Sequence, residues 1–178
     1  MNNIASPPLP DQLTALVPRL RRFARALTAS REEAEDLVQD ALERALSRLD
    51  QWQPGTRLDS WMYRIIQNLR RSQVRSPALR KRGEMPPDDQ IAGVDGAGEA
   101  EGRLFLRDVR RAFGQLPADQ RAVLTLVCVD GLAYREAAEV LDIPIGTVMS
   151  RLARARMELH RLVGGSGGGS VVLPMKFP

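Results

Sequence analysis

Arginines, hydroxyls and small side chains recur at helical spacing between Leu132 and Val163 of this 178-residue chain, in LAYREAAEVLDIPIGTVMSRLARARMELHRLV. Wound at 3.6 residues per turn, the second part puts Gly146, Thr147, Ser150, Ala153, Arg154 and Arg161 on one side. Met149, Arg151 and Arg156 flank that side, and Val148, Leu152, Ala155, Leu159 and Leu162 line the opposite one. Guanidinium and hydroxyl donors on a face nearly free of acids suit phosphate oxygens and base edges. The small residues at its start let a duplex backbone come close. An earlier helix is marked by Tyr134, Ala137, Ala138 and Leu141, and Asp142-Ile143-Pro144 breaks it, with the next helix starting near Gly146 or Thr147. Two short helices joined by a tight turn read as a helix-turn-helix whose second member lies in a major groove. A solvated face on a surface helix is the other reading of the arginines; the turn and the small residues weigh against it.

A second basic stretch lies upstream. Arg64, Arg70, Arg71, Arg75, Arg80, Lys81 and Arg82 follow one another with no acid between Arg64 and Arg82. Their charge exceeds the net +4 of the whole chain. Like charges three and four apart destabilise a helix by a few tenths of a kcal/mol, so phosphate contact is the economical explanation. Just before this stretch, QWQPGTRLD (Gln51 to Asp59) is a turn, broken at Pro54-Gly55 and rimmed by Trp52, Trp61 and Tyr63. A small hydrophobic cluster anchoring the loop is one reading, favoured for Trp61. A receptor for an unstacked nucleobase is the other.

A third feature has the opposite sign. Between Arg31 and Asp50 the acids Glu32, Glu33, Glu35, Asp36, Asp40, Glu43 and Asp50 outnumber Arg31, Arg44 and Arg48. Acids in the first turn suit the helix dipole, but Asp40 and Glu43 lie beyond it, beside Gln39. A patch of this kind on a chain suited to DNA implies a basic protein partner.

These features need helices to position them, and the composition is suited to helices: aromatics are 4% and charged residues 27%. Leu13, Leu16, Val17, Leu20, Phe23, Ala24 and Leu27 predict a helix from Asp11, with Arg19, Arg21, Arg22 and Arg25 on its other face. Ser30 followed by Glu33 is a capping-box signature for a helix from Arg31 to about Leu49. Another helix is expected from Ser60 to about Ser76, and further ones from Arg103, from Ala122 to Val129, and through the helix-turn-helix. The fold class is all-α: two small helical domains, 11–76 and 103–163, joined by a flexible linker over 77–102 rich in proline, glycine and acids. Residues 164–178 begin with GGSGGGS and read as a flexible tail, excluded from the fold.

Cys128 and His160 are each alone, so no disulfide frame, zinc cluster or histidine-based catalytic group is implied, and Cys128 in AVLTLVCV is expected to be a buried packing thiol. Neither a signal peptide nor an apolar run of the ~20 residues needed to cross a bilayer is present, which makes a reducing cytoplasm the default.

The chain resembles the extracytoplasmic-function (group IV) bacterial sigma factors over nearly all of Leu13 to Val163. AEDLVQDALERAL and LDSWMYRIIQNLRR resemble the promoter-melting domain of that family. LPADQRAVLTLVCVDGLAYREAAEVLDIPIGTVMSRLARAR resembles its domain for the −35 element. FGQLPADQR and WQPGTRLDSW are similar to the subgroup that drives the general stress response in alphaproteobacteria. The resemblance implies that Asp36, Gln39, Asp40 and Glu43 dock on the clamp helices of the polymerase β′ subunit. It implies that the loop Gln53 to Asp59, with Thr56 and Arg57, captures a flipped base of the −10 element, and that Trp61, Arg64, Asn68 and Arg71 lie near that DNA. Thr147, Ser150, Arg151 and Arg154 match the −35 reading helix, where Met149 and Ala153 depart from the larger or basic residues often found. The implied partners are promoter DNA, core RNA polymerase (β′ clamp helices and β flap) and an anti-sigma factor, with no cofactor, no metal, no membrane insertion and no enzymatic activity of the chain itself.

Two other classes compete. A stand-alone repressor or activator explains the helix-turn-helix, but not a separate basic helix beside an aromatic-rimmed loop. A sigma-mimic adaptor that sequesters an anti-sigma factor has no use for phosphate-binding charge.

Overall fold

The computed structural model describes residues 7–53, 55–75 and 100–164, with the backbone alone for 100–104 and 164. The sequence expectations for residues 1–6, Pro54, most of the linker with Arg80, Lys81 and Arg82, and the 165–178 tail lie outside the described residues.

The described residues form α1 (Leu9–Leu27), α2 (Arg31–Leu46), α3 (Leu58–Arg75), α4 (Ala100–Gln115), α5 (Ala118–Leu124), α6 (Tyr134–Leu141) and α7 (Ile145–Gly164), without strands. The all-α expectation holds, and most boundaries differ by two or three residues. The start of α2 follows the cap read from the sequence. Ser30 Oγ accepts the Glu33 N–H at 3.1 Å, while Glu33 Oε2 accepts from Ala29 N–H at 3.3 Å. Its end comes earlier than expected: after Ser47 the ladder tightens, and the Arg48 N–H bonds Ala45 O, three residues back, at 3.1 Å. Leu46 is left 53% exposed, and the 3-10 turn Leu49–Gln51 carries the chain on.

Helices α1 and α2 bury most of the stripes their periodicity predicts, and α3 turns Met62, Tyr63 and Ile66 inward; Leu20, Phe23, Leu37, Met62, Tyr63 and Ile66 are fully enclosed. The Phe23 and Tyr63 rings meet edge-on at 5.0 Å between centroids. In the second half, Val123, Leu126, Val140, Val148, Leu152 and Ala155 are buried between α5, α6 and α7. The turn of the helix-turn-helix is closed by Asp142 at φ +49, a left-handed C-cap normally given to glycine or asparagine, and the Ile143 N–H bonds Ala138 O at 3.1 Å. Pro144 O then accepts from Thr147 N–H and Val148 N–H, which starts α7.

One expectation needs correction. The helix from Ala122 to Val129 is not uniform: Thr125–Val129 is π-helical, with the Asp130 N–H reaching Thr125 O. One extra residue in a turn rotates everything after it, so Cys128 faces solvent instead of packing in the core, and Val129 is 54% exposed. The two helical sets also lie against each other. Here α1 packs on α5 and the π-helical segment, α3 packs on α6, and a single apolar core runs through both sets.

Candidate DNA and polymerase interfaces

Helix α7 presents the expected face. Val148, Leu152, Ala155, Leu159 and Val163 anchor it, leaving Gly146, Met149, Ala153 and Arg154 exposed and Thr147, Ser150 and Arg151 half-buried at the edge. Ser150 Oγ donates to Thr147 O at 3.1 Å, so its hydroxyl keeps lone pairs for a ligand. Arg154 makes no ion pair among the described residues. Arg151 is held by Asp119 at 3.0 Å, to the side of the face. The four residues expected to read the −35 element therefore divide into a free cation, two hydroxyls and one tethered arginine. The centre of the exposed face is Ala153, Gly146 and Met149.

The loop before α3 is shaped by Gly55 at φ +89, where a side chain would be strained, and by Thr56, whose N–H and Oγ1 both donate to Gln53 O (3.1 and 2.7 Å). Gln53, Thr56 and Arg57 are exposed, whereas Trp52 and Trp61 are half-buried against the apolar core, in keeping with an anchoring role for Trp61. On α3, Arg64 and Asn68 face solvent one turn apart. Arg71 does not: its Nη1 donates to Asp142 at 2.7 Å and its Nη2 to Leu141 O at 2.8 Å.

On α2, Asp36, Gln39, Asp40 and Glu43 are all exposed on one side, with Gln39 Nε2 donating to Glu43 at 3.0 Å. The neighbouring acids are used internally, Glu35 by Arg21 and Glu33 by Arg70. Among the described residues neither Asp36 nor Asp40 takes part in an ion pair.

Sequence reasoning missed a polar set between the two halves. The Asp130 side chain is fully buried and accepts from Arg19 Nε (3.4 Å), Arg22 Nη2 (3.0 Å) and Tyr63 Oη (2.8 Å). Burial, then Asp130, drive the Tyr63 phenol well above its ordinary range. Asp59 is buried too, where burial alone would raise its carboxyl. Hydrogen bonds from Arg57 (2.7 and 3.0 Å), the Ser60 N–H and the charge of Arg19 outweigh that and hold it below the usual carboxylate range. Arg57 also clamps Glu136, with Nη1 3.1 Å from each oxygen. Arg121, buried in α5, donates to Ala26 O and Thr28 O at the end of α1, to Leu116 O at 3.0 Å and to Gly114 O at 3.4 Å. The sequence signal was weak: a charge in an apolar helix, and a glycine-terminated Asp130.

A basic helix-turn-helix joined to an acid-faced, loop-bearing helical module defines a transcription initiation factor. The sigma-70 region 4 family model matches residues 106–159, and that of the sigma2 domain of PhyR matches residues 13–67. The chain belongs to the ECF RNA polymerase sigma factors, of the alphaproteobacterial stress type, and acts in transcription initiation. It is 38% identical over 156 residues to the ECF RNA polymerase sigma factor EcfG of Rhodopseudomonas palustris, covering 87% of this chain and 84% of that one. It is 34% identical to the RNA polymerase sigma-H factor of Pseudomonas aeruginosa, over 73% and 72% of the two chains. Among solved structures it resembles the sigma factor RpoE in complex with the anti-sigma factor NepR from Bartonella quintana. The TM-score there is 0.68 at 31% identity, over 89% of this chain and 98% of that one. CnrH, in complex with the cytosolic domain of CnrY, gives a TM-score of 0.61 at 25% identity, covering 89% and 88%. No helix among the described residues is long and apolar enough to cross a membrane.

Proposed function

We propose that this sigma factor docks on core RNA polymerase through the α2 face of Asp36, Gln39, Asp40 and Glu43, and recognises promoter DNA at two sites. The face of α7 takes the −35 element: Arg154 and Ser150 approach base edges, Thr147 supports them, and Arg151 serves the adjacent phosphate. The loop of Gln53, Thr56 and Arg57 receives a flipped −10 base, while Arg64, Asn68 and Arg71 track the strand beside it and Trp61 braces the loop. Flipping a base costs a few kcal/mol, which stacking and hydrogen bonds in the loop can return. Binding energy alone then drives melting, and bond-making chemistry belongs to the polymerase. The chain works in the cytoplasm, with the β′ clamp helices and β flap as its polymerase contacts.

One observation carries this reading: an acidic row that, among the described residues, is free of internal ion pairs at Asp36 and Asp40 coexists with a basic reading helix on the same small chain. Charges of opposite sign on separate faces suit two partners of opposite sign. An anti-sigma factor is a third partner, since the sigma factor RpoE is seen bound to one, NepR. The sigma-mimic alternative draws on the match of the PhyR sigma2 domain model to residues 13–67, and PhyR in complex with NepR, at 16% identity over 50% of that chain, adds a likeness of fold alone; the 38% identity to the sigma factor EcfG favours the sigma reading. Run-off transcription with purified core polymerase and a genomic promoter library tests the reading. New transcripts from a shared pair of promoter boxes are expected; failure to start any RNA chain, or to co-migrate with core enzyme, rejects it.

A further inference from the structure

Helix α7 carries an apolar row beside its basic one. Ile145, Met149, Ala153 and Met157 follow at steps of four residues, so their side chains form one ridge along the helix. All four are exposed, Ile145 by 49%, Met149 by 52% and Met157 by 65%. Single apolar side chains at a surface are ordinary, but a continuous ridge bordering a reading face suits a partner that covers it. We propose that Met149 and Ala153 read thymine, by contact with the C5-methyl groups that stand in the major groove of the −35 element. The inference rests on the reading of α7 as the −35 helix and names the base chemistry of that same site.

Polar donors on α7 are fewer than its sequence implies. Arg151 is drawn to Asp119 at 3.0 Å, Arg156 donates to Cys128 Sγ at 3.6 Å, and Arg161 pairs with Glu158 at 2.9 Å. Of the arginines on α7, Arg154 alone makes no contact of this kind among the described residues. Winding the helix at 3.6 residues per turn puts Thr147, Arg151, Arg154 and Arg161 on one flank of Ser150, and Gly146, Met149, Ala153 and Met157 on the other. The polar flank has one guanidinium ready for a base edge, which suits a guanine. The apolar flank has no donor for a purine, and the apolar feature that the major groove offers it is the thymine methyl. Gly146 and Ala153 are small, and nothing lies within 4 Å of where a side chain at Gly146 would start, so the duplex has room to close on this flank. The flexible thioether of Met149 then conforms to the methyl it meets. Met157 lies about two turns further on, past the N-terminal part of the helix that contacts base edges. A helix of a partner protein is the other occupant such a ridge suits. Continuity with Ser150 and Arg154 favours the duplex, since a protein laid over Met149 and Ala153 would cover Ser150 too.

The test uses the full chain assembled with core polymerase. A preferred −35 box is selected from a randomised library. Each thymidine of that box, on either strand, is then replaced by deoxyuridine, which removes the methyl and leaves base pairing intact. Affinity is read by competition against a fluorescent promoter duplex in anisotropy. Met149→Gln keeps the length and helix propensity of the side chain while making its tip polar, and Ala153→Gly removes the Cβ. Both positions are exposed, and circular dichroism checks the fold. Met157→Gln is the control on the same ridge.

The selected box is expected to contain thymine, and uracil in its place to weaken binding about three- to fivefold per methyl, the value of burying one carbon. Met149→Gln should bind the thymine and uracil duplexes equally at one position and Ala153→Gly at another, while Met157→Gln keeps the full methyl effect. If Ala153→Gly loses helicity, Ala153→Ser is judged in its place. Indifference of the unaltered protein to uracil throughout the box, or a methyl effect that survives Met149→Gln, overturns the inference. Loss of core-enzyme binding in Met149→Gln also overturns it, and makes the ridge a protein-docking surface. A library that enriches no −35 sequence removes the reading of α7 itself, whereas an enriched box without methyl dependence removes only the thymine contact.

Discussion

Tyr63 Oη donates to Asp130 Oδ2 at 2.8 Å, tying the middle of α3 to the end of the π-helical segment. The ring of the same tyrosine packs against Phe23, so one side chain serves the apolar core with its body and the polar contact with its tip. Tyr63→Phe keeps the ring and removes the donor. A loss of about 1–2 kcal/mol in urea unfolding is expected, since Arg19 and Arg22 still serve Asp130. The folded phenol ionises above its ordinary value of 10, so its contribution is complete below pH 10 and fades as pH rises beyond it. Tyr63→Phe should flatten that alkaline limb.

Asp59 gives the opposite dependence. Its folded carboxyl ionises below the ordinary 3.8, so its contribution is present above that pH and is lost as pH falls toward the lowered value. Asp59→Asn should flatten the acid limb of stability below pH 3.8 in circular dichroism melts. An unchanged limb would mean that Arg57 and Arg19 do not hold the carboxylate in solution.

Arg121 is a buried cation bonded to carbonyls of both halves, and burial lowers its affinity for the proton. Arg121→Met strands those carbonyls and should cost about 2–4 kcal/mol. The denaturant midpoint measures it.

Asp40→Lys with Glu43→Lys changes two exposed residues, so folding should survive within ~0.5 kcal/mol. Association with core polymerase in size-exclusion chromatography should fall more than about tenfold, as expected when charge complementarity is reversed. Normal holoenzyme assembly would remove α2 from the docking surface.

Arg154 and Arg151 separate two roles on one helix. Arg154→Ala should cost roughly 1–3 kcal/mol in promoter affinity and relax preference at one −35 position, if its exposed guanidinium reads a base edge. Arg151→Ala should weaken all sequences alike and lower the salt slope by about one. Selection from a randomised −35 box distinguishes the two.

Much of this molecule is local and could be read from the chain. Stripes at three-and-four spacing, the Ser30 cap and the break at Asp142 to Pro144 gave the helices, because each follows from the nearest few residues. The exposed Asp36, Asp40 and Arg154 were legible for the same reason: a helix with one apolar side must show its other side to water. The turn ahead of Leu58 followed from Pro54-Gly55 in the same way, although Leu58 and Asp59, read as part of that loop, open α3.

The burial of Asp130 and Arg121, the outward turn of Cys128 and the engagement of Arg57 and Arg71 were not legible. A π-turn shifts the phase of everything after it without any change in composition, so AVLTLVCV looks buried throughout while Cys128 and Val129 are turned out. Periodicity likewise marks which face of α1 is apolar, but not that Arg19 and Arg22 on its other face would meet a carboxylate 108 or more residues away. Sequence alone determined the helices, the signs of their faces and the kind of partner each suits, since these depend on short-range spacing and charge. Only the tertiary structure decided which charges remain free for those partners, because pairing across long separations depends on how the halves pack.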